Sequence, residues 1–214
     1  MFLFLILLFP TVLWFCCAHS SKKIYGFLIA VGAFLGVVVS GCAALFSYSH
    51  RIPEFSAASN FFYYFLKEYA LPLILVYALY FFTTKDSVEF RVKALFPVSA
   101  AFYAVYMPYC VVSSANSAFS FFQLFVKPIL VLSMVFLASL FAYKIYCAAL
   151  EKNLRNIFVF SFFALVSLIV PALLESMYLL CVALPAVYAA AVVFAAAALL
   201  LFFLNSRKDS KFLF

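Results

Sequence analysis

Seven apolar runs, separated by clusters of charge, occupy nearly all of this 214-residue chain. They are Met1–Ala18, Ile24–Tyr48, Phe61–Thr83, Ala94–Ser113, Phe119–Tyr143, Ile157–Leu174 and Met177–Leu204. A helix needs about 20 predominantly apolar residues to cross the hydrocarbon core of a bilayer. Each run meets or approaches that length. None alternates polar with apolar residues as the strands of a membrane barrel do. Nor can a soluble core absorb them. Hydrophobic residues make up 70% of the chain and charged residues 10%, where soluble domains average about half and about a quarter. The chain therefore reads as an all-α, polytopic transmembrane helical bundle of seven spans. The connections are too short for a soluble domain, so residues 1–214 form a single integral-membrane domain, multi-pass, in the cytoplasmic (plasma) membrane. Soluble enzymes, nucleic-acid binders, disordered chains and secreted disulfide scaffolds are excluded.

Orientation follows from the basic residues of the loops, which are retained on the cytoplasmic side. Lys22 and Lys23, then Lys85, Arg91 and Lys93, then Lys144, Lys152 and Arg155, then Arg207, Lys208 and Lys211 follow spans one, three, five and seven. These are eleven of the fourteen Lys and Arg residues; Arg51, Lys67 and Lys127 lie at the opposite ends. The alternation places the N-terminus outside and the C-terminus in the cytoplasm. Single cysteines introduced at positions 22, 85, 152 and 208 should all resist an impermeant thiol reagent applied from outside. Labelling at position 85 would invert the topology. The first run lacks a basic segment before it and has bulky residues around Cys16, so it reads as a retained helix rather than a cleaved leader. Its removal would leave six spans with both termini inside.

Several chemistries are closed to this chain. The six cysteines, Cys16, Cys17, Cys42, Cys110, Cys147 and Cys181, form no C-x-x-C pair and read as small apolar residues. Cys16-Cys17 at a cytoplasmic edge is a conceivable palmitoylation site. His19 and His50 fall on opposite sides of the membrane, and Asp86 and Asp209 lie in basic cytoplasmic segments. Metal sites, Ser-His dyads and buried aspartyl pairs are thus excluded, and no cofactor is expected.

Gly32, Gly36, Ser40 and Ala44 recur every four residues along span two. Such a ridge lets helix backbones approach closely in lipid, within the bundle or against a partner subunit. With the alanine-rich segments Ala189–Ala191 and Ala195–Ala198 of span seven, it makes spans two and seven the candidates for closest packing. Pro10, Pro72, Pro128 and Pro185 fall in spans one, three, five and seven. Interior prolines remove a backbone hydrogen bond and open a helix locally. Their even separation suits a repeat of helical hairpins, although two spans with two loops give much the same period without one.

The candidate site rests on charge. Ionisable groups inside a bilayer are costly and mark function by default. Lys67, Glu68, Lys127 and Glu175 fall inside or at the edges of spans, near the outer side, with Pro72, Pro128 and Pro171 close by in sequence. They are the predicted substrate-binding residues, converging on a polar, water-accessible cavity. The glutamates suit a cation or a proton relay, and the lysines an anionic group. The plain alternative is that the four side chains snorkel separately to the headgroups.

In length, in the six spans that follow the first, and in the small-residue ridge of span two, the chain resembles the small substrate-binding subunits of energy-coupling transporters. The resemblance is architectural; it implies a helix that docks to a partner and assigns no residue. Three functions fit the sequence: a transport protein or the membrane subunit of a transporter, a non-catalytic scaffold or assembly subunit, and an integral-membrane enzyme acting on lipids. The chain is more readily read as a non-enzyme. Its partners are the lipid bilayer and, for a transporter, a partner membrane subunit or an ATPase; nucleic acid is not among them.

Overall fold

The computed structural model describes residues 24–49, 57–83, 87–113 and 120–208. The first apolar run, Met1–Ala18, both histidines, Cys16 and Cys17 lie outside them. Among the described residues every element is helical, and six helices are long and apolar enough to cross a membrane. The protein is an integral, multi-pass membrane protein built as a helical bundle.

The elements are α1 (Ile24–Ser49), α2 (Ala57–Tyr64), α3 (Leu71–Thr83), α4 (Val88–Lys93), α5 (Leu95–Ser113), α6 (Lys127–Leu150), α7 (Leu154–Leu179) and α8 (Leu184–Lys208). A π-helical turn, Phe65–Ala70, joins α2 to α3, and a second, Phe122–Val126, leads into α6. Helices α5 and α6 form the middle of the bundle, with 78% and 72% of their spans buried. By contrast α1, α7 and α8 bury 22%, 22% and 17%, and present side chains such as Phe34, Phe158 and Val192 outward. Apolar residues on that perimeter face the lipid, which accepts them without cost.

The glycine ridge of α1 lies against α5. A Cβ on Gly32 would sit 2.3 Å from the Val98 carbonyl oxygen, and one on Gly36 would sit 2.8 Å from that of Phe102. The partners advance in the same direction on both helices, so α1 and α5 run parallel. Spans two and four of an alternating topology must do so. The rest of the ridge leaves the contact. Ser40 Oγ bonds the Gly36 carbonyl at 2.7 Å, Gly41 faces open space and Ala44 is exposed.

Spans two and seven, the candidates for closest packing, pack on different helices: α1 on α5 and α3, and α8 on α6 and α7. Consecutive alanines step about 100° around a helix and so mark no single face. Only Ala191 and Ala198 of the two alanine runs are buried.

Two tight turns fix the last three helices. After α6, Lys152 adopts φ 55°, and after α7, Cys181 adopts φ 54°. In the first turn Asn153 N–H bonds the Ala148 carbonyl and Lys152 N–H that of Ala149; in the second, Val182 bonds Met177 and Cys181 bonds Tyr178. These nested bonds satisfy the last carbonyls of each helix. Asn153 then caps α7, its side chain accepting from Asn156 N–H at 3.2 Å. The turn between the last two spans thus falls after Leu179, beyond Glu175, which the sequence placed in that turn. Pro185 lies in the first turn of α8, where its missing N–H costs nothing, rather than at a kink.

Candidate functional site

The two π-turns build the site, and each ends two residues before a proline. Leu71 N–H reaches back five residues to the Leu66 carbonyl, and Lys127 N–H does the same to Phe122. Pro72 and Pro128 follow. A proline has no N–H for the carbonyl four residues before it, and its ring crowds that carbonyl. The wider turn relieves the crowding but leaves carbonyls without helical partners. Two tyrosines of α5 supply the donors. Tyr103 OH bonds the backbone carbonyls of Tyr69 at 3.0 Å and Glu68 at 3.3 Å, and Tyr106 OH bonds that of Lys67 at 2.8 Å. The i, i+3 tyrosine pair of span four is therefore a clamp on the opened turn. Backbone groups in lipid must be satisfied within the protein, and the carbonyls of Lys67, Glu68 and Tyr69 are.

This geometry turns Glu68 into the bundle. Lys127 Nζ sits between two carboxylates, donating to Glu68 Oε2 and, at 2.5 Å, to Glu175 Oε1. Glu175 also accepts from Gln123 Nε2 at 3.2 Å and from Tyr69 OH at 2.5 Å. The exposures of Glu68, Lys127 and Glu175 are 1%, 0% and 1%, and Gln123 is likewise fully buried. The three charged groups come from three different helical segments and meet in the interior. The Phe122 ring, next to Gln123 in sequence, stacks on Tyr178, with centroids 4.2 Å apart and planes at 8°.

Three of the four charges picked out in the sequence thus converge, and the fourth does not. Lys67 is half-buried; its Nζ donates to Tyr63 OH at 2.8 Å and lies 5.0 Å from the centre of that ring. Adjacent residues of a helical turn point in directions about 100° apart, so a turn that sends Glu68 inward sends Lys67 elsewhere. The site also differs from the expected water-accessible cavity, since its charged groups are closed off from the surface. It lies deeper than the outer edge as well. Glu68 falls near the middle of the 25-residue span Ala58–Phe82, because the helix begins before Phe61.

The residues that complete the cluster, Gln123 and Tyr69, were not singled out as ligands in the sequence. Gln123 does carry a signal: it is an amide in an otherwise apolar run, one helical turn before Lys127. Its Oε1 is buried with no hydrogen-bond partner among the described residues. Among the described residues no group of His, Cys, Asp and Glu has the makings of a metal site. Chemically the arrangement is a buried, hydrogen-bonded ion cluster with two carboxylates and one ammonium. It can bind, exchange or hold a small cation or proton.

The tyrosine contacts differ in weight. Hydrogen bonds to charged groups contribute roughly 1.5–3 kcal/mol and neutral ones about 1 kcal/mol. Tyr69→Phe should therefore lower the unfolding free energy by roughly 1.5–3 kcal/mol, and Tyr106→Phe by about 1 kcal/mol. Denaturant titration of the purified protein in mixed micelles measures both. A reversed order would mean that Tyr69 does not support an ionised Glu175. No protein-family model, curated protein or solved structure matches this chain.

Proposed function

We propose that the protein is a membrane transport protein, or the membrane subunit of a transporter, and that Glu68, Lys127 and Glu175 form its binding site. The observation that supports this best is the burial of these three groups, drawn from separate helical segments, at 0–1% exposure. Replacing a buried ion pair with apolar residues of similar volume is often neutral or stabilising. A chain that needed only to hold helices together would be served as well by leucine and methionine. Keeping two carboxylates on one ammonium suits a site where an incoming cation or proton competes with Lys127 for the carboxylates. The π-turns and prolines at its walls are the points where the bundle can yield. In this reading the chain is one domain of seven spans in the cytoplasmic membrane. Its N-terminus lies outside, its C-terminus inside, and the closed site would open toward the outer face when the bundle yields. A partner membrane subunit or an ATPase would drive a subunit of this kind. Lys67, bound to Tyr63, stands outside the cluster.

The test separates transport from scaffolding. E68Q/K127M/E175Q keeps the volume and removes all three charges. In a strain lacking the gene, wild-type protein should restore solute and ion accumulation, while the triple variant, inserted at normal level, should not. Full restoration by the triple variant would favour the scaffold, for which packing suffices.

A further inference from the structure

The charges of the cluster do not cancel. Two ionised carboxylates around one ammonium leave an excess negative charge in the apolar core, and an uncompensated buried charge is strongly destabilising. Among the described residues the remaining charge in reach is small. Lys67, on the same turn as Glu68, points to Tyr63 and is half-exposed. The other ionisable groups around Glu68 are hydroxyls and a thiol: Tyr64 and Tyr69 on its own segment, Tyr103, Tyr106 and Cys110 on α5. From α6 and α7 it meets Lys127 and Glu175.

The donors are distributed unevenly between the two acids. Glu175 accepts from Lys127, Gln123 and Tyr69. Glu68, among the described residues, accepts from Lys127. Around Glu68 the hydroxyls of Tyr103 and Tyr106 are committed to backbone carbonyls, and that of Tyr69 to Glu175. Gln123 turns its NH₂ to Glu175 and leaves its own oxygen without a partner among the described residues. That orientation serves an ionised Glu175; a protonated one would donate to the amide oxygen instead. Three donors solvate a carboxylate nearly as water does, and one does not.

We infer that the cluster holds one exchangeable proton and that Glu68 carries it, with Glu175 the fixed counter-anion of Lys127. The proton comes from water when the bundle opens and adds to the Glu68 carboxylate, leaving a cluster of zero net charge. This deepens the reading of the cluster as a transport site: its coupling ion is a proton, and protonation of Glu68 weakens its hold on the ammonium.

Infrared spectroscopy of the protein in lipid bilayers can see this proton directly, through the carbonyl stretch of a protonated carboxylic acid. The other five acidic residues, Glu54, Asp86, Glu89, Glu151 and Asp209, lie in the charged connections, and a carboxyl in water is ionised at neutral pH. Wild-type protein should show one protonated acid at neutral pH, in sodium, potassium or alkali-free buffer alike. E68D should move that band, and E175D should leave it in place. As an independent measure, E68Q, an isostere of the protonated acid, should melt near wild type, and E175Q well below it. A band that appears only when alkali cations are removed would make the compensating ion a metal cation. No band, or a band that moves in E175D alone, would overturn the proposal. These outcomes do not depend on transport: a protonated Glu68 in a protein whose neutral triple variant restores accumulation would refute the transport reading alone.

Discussion

Lys127→Met alone should be among the most damaging single substitutions in this chain, lowering the unfolding free energy by roughly 3–5 kcal/mol. The methionine fills the volume, but the two acids the ammonium bridges, Glu68 and Glu175, lose their common cation at 0–1% exposure. Removing the acids as well should reverse most of the loss, so E68Q/K127M/E175Q should be more stable than K127M. That ordering identifies the cost as unpaired charge rather than lost packing, and a double-mutant cycle in denaturant measures it. Lys67→Met, by contrast, should shift stability by less than about 1 kcal/mol, as a partly exposed group does. If K127M matched wild type, the two acids would have to be held by something other than the lysine.

The second large effect is steric. Gly32→Ala places a methyl group 2.3 Å from a backbone oxygen of α5, and a carbonyl cannot rotate away as a side chain can. The helices must separate, and the loss should reach at least the upper end of the roughly 1–3 kcal/mol typical of overpacking. Gly36→Leu should be nearly as harmful, because the Phe102 carbonyl and Val105 Cβ stand at 2.8 and 2.9 Å. Val37→Leu, on the exposed face, should be neutral. Gly41→Ala meets nothing within 4 Å and should stabilise α1 by about 0.5–1 kcal/mol through helix propensity. Thermal melts of the four variants in one detergent would rank them. Equal melting of Gly32→Ala and Gly41→Ala would remove α5 from the glycine face.

The bundle was legible in the sequence because lipid imposes one rule, a long apolar run, and spans two to seven obey it. The parallel contact of α1 with α5 was legible in part. The ridge at Gly32 and Gly36 announced a close neighbour, but nothing in α1 says which helix supplies the carbonyls. Glu68, Lys127 and Glu175 stood out because charge is rare in these runs. That Lys67 would part from Glu68 could not be read, because both residues are charged and adjacent and only the helix phase separates them. The phase itself depends on π-turns that no residue type encodes; Pro72 and Pro128 mark their places without fixing their width. Gln123 was passed over because an amide carries no charge, although burying one without partners costs nearly as much as many ion pairs are worth.

A π-turn can be regarded as an α-helix that has accepted one surplus residue. The segment Phe65–Ala70 therefore stores an insertion, and the site depends on it. Loss of one residue there would let α2 and α3 fuse into a regular helix, still apolar and still long enough to cross the bilayer. Every residue on the N-terminal side would turn by about 100° relative to the rest, and Glu68 would swing from Lys127 toward the lipid. The carbonyls held by Tyr103 and Tyr106 would be rearranged at the same time. A single-residue deletion that a lipid-facing helix such as α8 could absorb would here leave the span intact and dismantle the ion cluster. Length variation in this segment is thus a sharper marker of the site than substitution, because it changes which way the charges face without changing any of them.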